Sequence, residues 1–170
     1  MKIQYIESKD VFAFGKIIKP LLPEFGPAFC QTVLEWCEII PDEFDNYWKW
    51  FLICDNSIVI GCCGLYSLDK NTDELWLAWF GIIPEYRNKG IGKQSLEFLE
   101  KLAGSEGCKI IRSYVDKEGK PLEFYMRNGF NVTGTVKDFL EANKMKQIDG
   151  SSFEDMEDFI IEKHINQTGQ

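Results

Sequence analysis

The chain is poor in metal-binding and export features. His164 is the single histidine in 170 residues, and the six cysteines (Cys30, Cys37, Cys54, Cys62, Cys63, Cys108) include no Cys-x-x-Cys pair. Zinc sites draw on clustered Cys and His, so the sequence offers no metal centre. No apolar run approaches the ~18 residues of a membrane span. The opening residues, Met1 to Glu7, are too polar for an export signal. The expectation is a cytoplasmic protein, with reduced thiols buried in apolar runs. Positive charge is also short. Nineteen Lys and Arg face 27 Asp and Glu, for a net charge of −8. A broad nucleic-acid face needs the opposite balance. There is no internal repeat and no separating linker, so residues 1–170 are expected to form one domain. Its length suffices to bury roughly two-thirds of the unfolded surface without staples.

What is present centres on Ile82-Ile83-Pro84-Glu85-Tyr86-Arg87-Asn88-Lys89-Gly90-Ile91-Gly92-Lys93. The apolar run Leu75 to Ile82 ahead of it reads as a mostly buried strand, which Pro84 stops because it cannot donate to a ladder. Beyond Gly92 the apolar period changes. Leu96, Leu99 and Ala103, with Phe98 and Leu102 on the same broad face, follow helical spacing. A strand thus enters a helix through a loop holding two glycines and three cations, Arg87, Lys89 and Lys93. Glycine permits tight turning and close approach. The first helical turn presents unpaired N–H groups and the positive end of its dipole. Together these features suit a phosphate or diphosphate. A nucleotide P-loop would need glycine where Arg87 stands and Ser or Thr where Gln94 stands. A dinucleotide fingerprint would need glycine at Ser95. Neither pattern fits.

Arg87-Asn88-Lys89-Gly90-Ile91-Gly92 resembles the Arg/Gln-x-x-Gly-x-Gly/Ala signature of the Gcn5-related N-acetyltransferases. About forty residues on, Glu123-Phe124-Tyr125-Met126-Arg127-Asn128-Gly129-Phe130 is similar to that family's Tyr-x-x-x-Gly-Phe element. The resemblance spans roughly residues 58 to 136. It implies a mixed α/β (α+β) fold, with a central, mostly antiparallel twisted sheet of about six or seven strands and about four flanking helices. One pair of strands would be parallel and splayed. It also implies acetyl-CoA as acyl donor, its diphosphate on Arg87, Asn88, Lys89, Gly90, Ile91, Gly92 and Lys93. The pantetheine arm would lie along the strand end at Phe80, Gly81 and Ile82.

Along the chain, Met1 to Glu7 alternates as a first strand. Asp10 to Leu22 reads as an amphipathic helix capped near Ser8, and Ala28 to Ile40 as a second helix. In the family this helical region overlies the acceptor, so Phe25, Phe29, Trp36, Phe44, Tyr47 and Trp48 either line a substrate site or pack as core. Phe51 to Cys54 and Ile58 to Leu68 form a hairpin about Asp55-Asn56-Ser57, followed by the Leu75 strand. Lys109 to Val115 runs parallel to it, since a helix intervenes. Gly119 to Asn128 is a short helix with Pro121 in its first turn and Gly129 as its stop. Phe130 to Val136 and Asp158 to Ile165 complete the sheet. Between them lies an irregular acidic stretch with a helical turn near Asp138 to Lys144.

Transfer of an acyl group from thioester to amine needs the donor held, the amine neutral, the oxyanion stabilised and the leaving thiolate protonated. Gly81 is expected to mark a disruption of its strand, leaving the N–H of Ile82 as oxyanion donor. Tyr125, in the tyrosine position of the motif, is the candidate general acid. Glu118 stands where relatives often carry a cofactor-contacting asparagine, and Ser113 where some carry a glutamate base. Glu74, on the same strand face as Trp76, Ala78 and Phe80 by alternation, is then either the base or a solvated turn carboxylate. The expected function is acetyl-CoA-dependent N-acetyl transfer to a small-molecule or protein primary amine, directly within a ternary complex. The alternative is a non-catalytic acyl-CoA-binding or regulatory module. Neither nucleic acid nor membrane is an expected partner, and the sequence leaves room for a homodimer.

Overall fold

The computed structural model describes residues 1–23, 47–67, 72–145 and 156–165. Seven strands form one sheet: β1 (Ile3–Ser8), β2 (Trp48–Asp55), β3 (Ile58–Tyr66), β4 (Glu74–Ile82), β5 (Ile110–Val115), β6 (Asn131–Thr135) and β7 (Phe159–His164). Among the described residues four helices flank it: α1 (Val11–Ile18), α2 (Ile91–Ser105), α3 (Lys120–Arg127) and α4 (Val136–Ala142). The spatial order is β1-β2-β3-β4-β5-β7-β6, and only β4 and β5 run parallel. The expected helix at Ala28 to Ile40 lies outside the described residues, as do Cys30, Cys37 and most of the aromatics of that region.

The sheet is apolar on both faces, which is why β4 reads as a continuous apolar run rather than an alternating one. Leu75 and Leu77 face one core with Leu96, Leu99 and Ala103 of α2 and Tyr125 of α3. Trp76 and Ala78 face the other with Phe14 and Ile18 of α1 and Val136 and Leu140 of α4. Cys54, Cys62, Cys63 and Cys108 are buried free thiols that form no disulfide.

Local chemistry sets the boundaries. The β2–β3 connection is a two-residue turn, Asn56-Ser57, with φ of 47° and 73°. Both residues being left-handed gives the twist that matches antiparallel strands. The cap of α1 is Asp10 rather than Ser8. The Ala13 N–H donates to the Asp10 carboxylate at 3.0 Å, while the Ser8 hydroxyl donates to the Asp10 carbonyl at 3.1 Å. This helix ends at Ile18, short of the expected Leu22, because Pro20 has no N–H to continue it. The helical turn expected near Asp138 to Lys144 is a helix that lies two residues earlier, Val136–Ala142. Thr135 and Asp138 form a reciprocal capping box that starts α4 at Val136. Gly129, with φ of 87°, ends α3 as expected; the Phe130 N–H then returns to the Tyr125 carbonyl at 3.1 Å.

Candidate active site

The parallel pair is brief. Glu74, Leu75 and Trp76 lie opposite Ile110, Ile111 and Arg112, and there the pairing stops. From Leu77 to Ile82, β4 pairs with no strand on its β5 side among the described residues, so the two strands enclose a wedge that closes at Trp76 and Arg112.

A bulge accompanies the parting. Against β3, Cys62 opposes Gly81 and Gly64 opposes Ala78, so Trp79 and Phe80 together face Cys63 alone. Trp79 takes φ of 45°, uncommon for a bulky residue, and its carbonyl accepts from the Cys62 thiol at 2.8 Å. The disruption therefore sits two residues ahead of Gly81, where the sequence places it. The extra residue also reverses Phe80. By alternation Phe80 belongs with Trp76 and Ala78, but its ring packs into the opposite core, against Phe124 and Tyr125. Gly81 matters at a close approach instead. A β-carbon on Gly61 of β3 would stand 2.3 Å from the Gly81 carbonyl oxygen.

At the end of β4 the Ile83 N–H donates to Ile60 of β3 at 2.9 Å. Successive residues of a strand direct their polar groups to alternate sides. The N–H and C=O of Ile82 therefore both turn to the open side of the wedge. A single 3-10 turn, Pro84–Tyr86, then reverses the chain, and the Arg87 Nε–H donates to the Ile82 carbonyl at 2.6 Å.

The loop beyond is built for an anion. Asn88 and Gly90 are left-handed, with φ of 59° and 80°. Gly90 is the N-cap of α2 and supplies no capping side chain, which leaves the N–H groups of the first turn facing outward. A β-carbon on Gly90 would meet nothing within 4 Å, so the surface over the helix start is open. Lys89 lies with its Nζ 4.9 Å above the Tyr86 ring, and Lys93 reaches Glu97 at 3.9 Å. Both lysines are exposed at the loop. Ile91 turns inward as a buried core residue and offers only its backbone.

Tyr125 is 7% exposed, and its ring lies 6.2 Å from Phe80 and 5.3 Å from Phe130. Burial pushes the phenol well above its ordinary value, so it stays protonated at neutral pH. The structure thus brings Tyr125, Phe80 and the glycine loop to one side of the sheet. Glu74 lies at the closed end of the wedge, where Arg112 binds it and also donates to Glu162 at 2.7 Å. Glu118 is an exposed bend residue whose N–H bonds the Asp116 carboxylate at 3.2 Å.

Two residues here escape sequence reasoning. Phe124 sits inside the second motif, yet only the fold shows its ring against Gly92, stacked on Phe80 and edge-on to Tyr125. Arg112 left a signal: a cation within an apolar strand needs partners. It finds Glu74, Glu162 and the Phe139 ring, 5.6 Å away.

The sequence profile of the acetyltransferase (GNAT) family matches residues 15–130, and the chain belongs to that family. No curated protein matches the sequence. Solved structures share the fold. PaiA N-acetyltransferase from Thermoplasma acidophilum, in complex with coenzyme A, superposes with a TM-score of 0.63 at 22% identity, over 96% of this chain and 99% of that one. An aminoglycoside 6'-N-acetyltransferase complexed with coenzyme A does so at 0.66 and 17%, over the whole of both chains. Tetrahymena Gcn5 gives 0.65 at 13%, over 98% of each.

Proposed function

We propose that the protein is an acetyl-CoA-dependent N-acetyltransferase that passes the acetyl group directly to a primary amine while both substrates are bound. The observation that carries this reading is the wedge between β4 and β5, open beside the Gly90–Lys93 helix start and walled by Phe80 and Tyr125. The donor's diphosphate rests on the backbone amides of Gly90 to Lys93, with Asn88 shaping the loop and Lys89 and Lys93 adding charge. The pantetheine arm follows the unpaired edge of β4 past Ile82, Gly81 and Phe80, towards the closed end of the wedge.

The amine lone pair attacks the thioester carbonyl carbon, and the electrons displaced onto oxygen are met by the N–H of Ile82. Collapse of the tetrahedral adduct breaks the carbon–sulfur bond. The thiolate takes its proton from the Tyr125 hydroxyl, which burial keeps protonated. The same burial raises the proton affinity of the leaving thiolate, so the two groups stay matched in a water-poor site. The amine proton leaves to Glu74, two residues from the closed end, once its carboxylate turns from Arg112. The net charge of −8 favours a cationic acceptor, either a small molecule or a protein amine.

A second reading is an acyl-CoA-binding module without turnover, favoured by the engagement of Glu74 with Arg112. Thiol release from acetyl-CoA across an amine panel separates the two. Amine-dependent release supports the enzyme. Calorimetric binding of acetyl-CoA with no release for any amine supports the module. Absence of binding defeats both.

A further inference from the structure

We propose that Arg87 is a positioning residue, a brace that holds the open-side carbonyl of Ile82 and thereby places the adjoining N–H for the acyl donor. This rests on the acetyl-CoA reading above and assigns Arg87 a different part in it. By its charge and place in the loop, Arg87 counts with Lys89 and Lys93 as a diphosphate ligand. Its Nε–H is instead committed to backbone, donating to the Ile82 oxygen at 2.6 Å.

The need for a brace follows from the wedge. Where β5 parts from β4 after Trp76, the open-edge carbonyls and N–H groups of β4 lose their ladder partners together. At Ile82 the two groups meet different fates. The carbonyl is taken within the chain, by a charge-assisted bond of the short, strong kind. Among the described residues the N–H on the same side has no ladder partner, and it is left for a ligand. The peptide unit joining Ile82 to Ile83 is gripped at both ends: Arg87 holds its oxygen, and its N–H donates to Ile60 of β3 at 2.9 Å. That plane adjoins, through the Ile82 Cα, the Gly81–Ile82 peptide that carries the open-side N–H, so holding it narrows the directions this N–H can take. The turn between makes the reach possible, since the Tyr86 and Arg87 N–H groups return to the Ile83 and Pro84 carbonyls at 3.0 and 3.1 Å. A guanidinium suits this role better than an ammonium, because its Nε–H lies in a rigid plane whose direction the side chain can lock.

The test compares two ligands by calorimetry. Acetyl-CoA carries both diphosphate and arm, whereas 3'-phospho-ADP carries the diphosphate without the arm. Arg87→Met keeps length but removes charge and donor; Arg87→Gln removes charge and keeps a planar N–H donor. Arg87→Met is expected to weaken acetyl-CoA about tenfold and to leave 3'-phospho-ADP within twofold. Arg87→Gln is expected to retain acetyl-CoA within threefold, and it decides the matter alone should Arg87→Met not fold. Equal loss of both ligands in either variant would make Arg87 a phosphate ligand and overturn the brace. Failure of the unaltered protein to bind either ligand would instead defeat the acetyl-CoA reading, and the brace with it.

Discussion

The ring of Phe124 lies 3.3 Å from the point where a β-carbon on Gly92 would stand. Gly92 belongs to the first turn of the helix that bears the anion loop, and Phe124 precedes Tyr125 on α3. On the acetyl-CoA reading, the residue that would let the diphosphate approach is therefore also the one that lets α3 close on α2. The helix start and Tyr125 are joined by one contact.

That contact makes Gly92 sensitive to volume. A methyl at 3.3 Å needs the ring to yield by a few tenths of an ångström, and a branched side chain needs much more. Gly92→Ala is expected to bind acetyl-CoA within about threefold of the unaltered protein. Gly92→Val is expected to bind at least tenfold more weakly, a loss of about 1.4 kcal/mol. Combining Gly92→Val with Phe124→Leu should recover part of the loss, because residues in contact are not additive. Calorimetry checks all three. An independent, additive effect of the two substitutions would mean that the ring does not transmit the clash.

Tyr125 is expected to act on turnover and not on binding. Removing its hydroxyl in Tyr125→Phe leaves the packing against Phe80 and Phe130 in place. The thiol-release rate should fall about 10²-fold, within the range for loss of a general acid. Acetyl-CoA affinity should stay within twofold. An unchanged rate would remove Tyr125 from the chemistry and leave it as a core aromatic.

The loop and the sheet order around it were legible because their signals are local: a glycine pair, a proline stop and a switch from strand to helical period. The same holds for α3, bounded by Pro121 and Gly129. Alternation misplaced Phe80 because the bulge at Trp79 comes from the β3–β4 register, and no residue of β4 announces a mismatch with a partner strand. The start of α1 was ambiguous, with Ser8 and Asp10 both good caps, and only the Ala13 bond decides between them. The Thr135–Asp138 capping box was present in the sequence but straddled the expected end of a strand at Val136 and a stretch whose acidity suggested irregular chain. At Arg87 charge counting cannot show that the Nε–H reaches the backbone carbonyl of Ile82, five residues back.

Gly61 should be the most sensitive of the described glycines for stability. A β-carbon there would stand 2.3 Å from the Gly81 oxygen and 3.1 Å from the Ile82 Cα, both backbone atoms that can move only if β3 and β4 part. Gly61→Ala is expected to cost about 3 kcal/mol, at the upper end for overpacking. For a chain of this size that lowers Tm by about 6–12 °C in a thermal melt. A melt unchanged within a degree would show that the two strands do not approach so closely.

Glu74 gives a test of the base. Glu74→Gln is expected to reduce the thiol-release rate at neutral pH about 10²-fold. The fold should survive, since Arg112 keeps Glu162 at 2.7 Å. A loss under threefold would send the amine proton to water and leave Glu74 as a partner of Arg112.

Alkaline pH should unfold the protein earlier than its charge alone suggests. Burial pushes the thiols of Cys54, Cys63 and Cys108 above the ordinary value of 9.0. It likewise pushes the phenols of Tyr5, Tyr47 and Tyr125 above 10.0. In the unfolded chain these groups release protons at their ordinary values, while in the folded protein they retain them. The unfolded state then binds fewer protons, so stability falls as pH rises past 9 and falls more steeply past 10. Each group whose folded pKa lies well above the range contributes up to about 1.4 kcal/mol per pH unit. Cys63, wholly buried, is the clearest case. Under reducing conditions Tm is expected to drop by at least about 3 °C between pH 8 and pH 10. Cys63→Ala should melt lower at pH 8, because it leaves a cavity, yet lose less on going to pH 10, because one proton-retaining group is gone. A Tm that stayed level over that interval, or an equal drop in both proteins, would show that the thiol core ionises without opposing the fold.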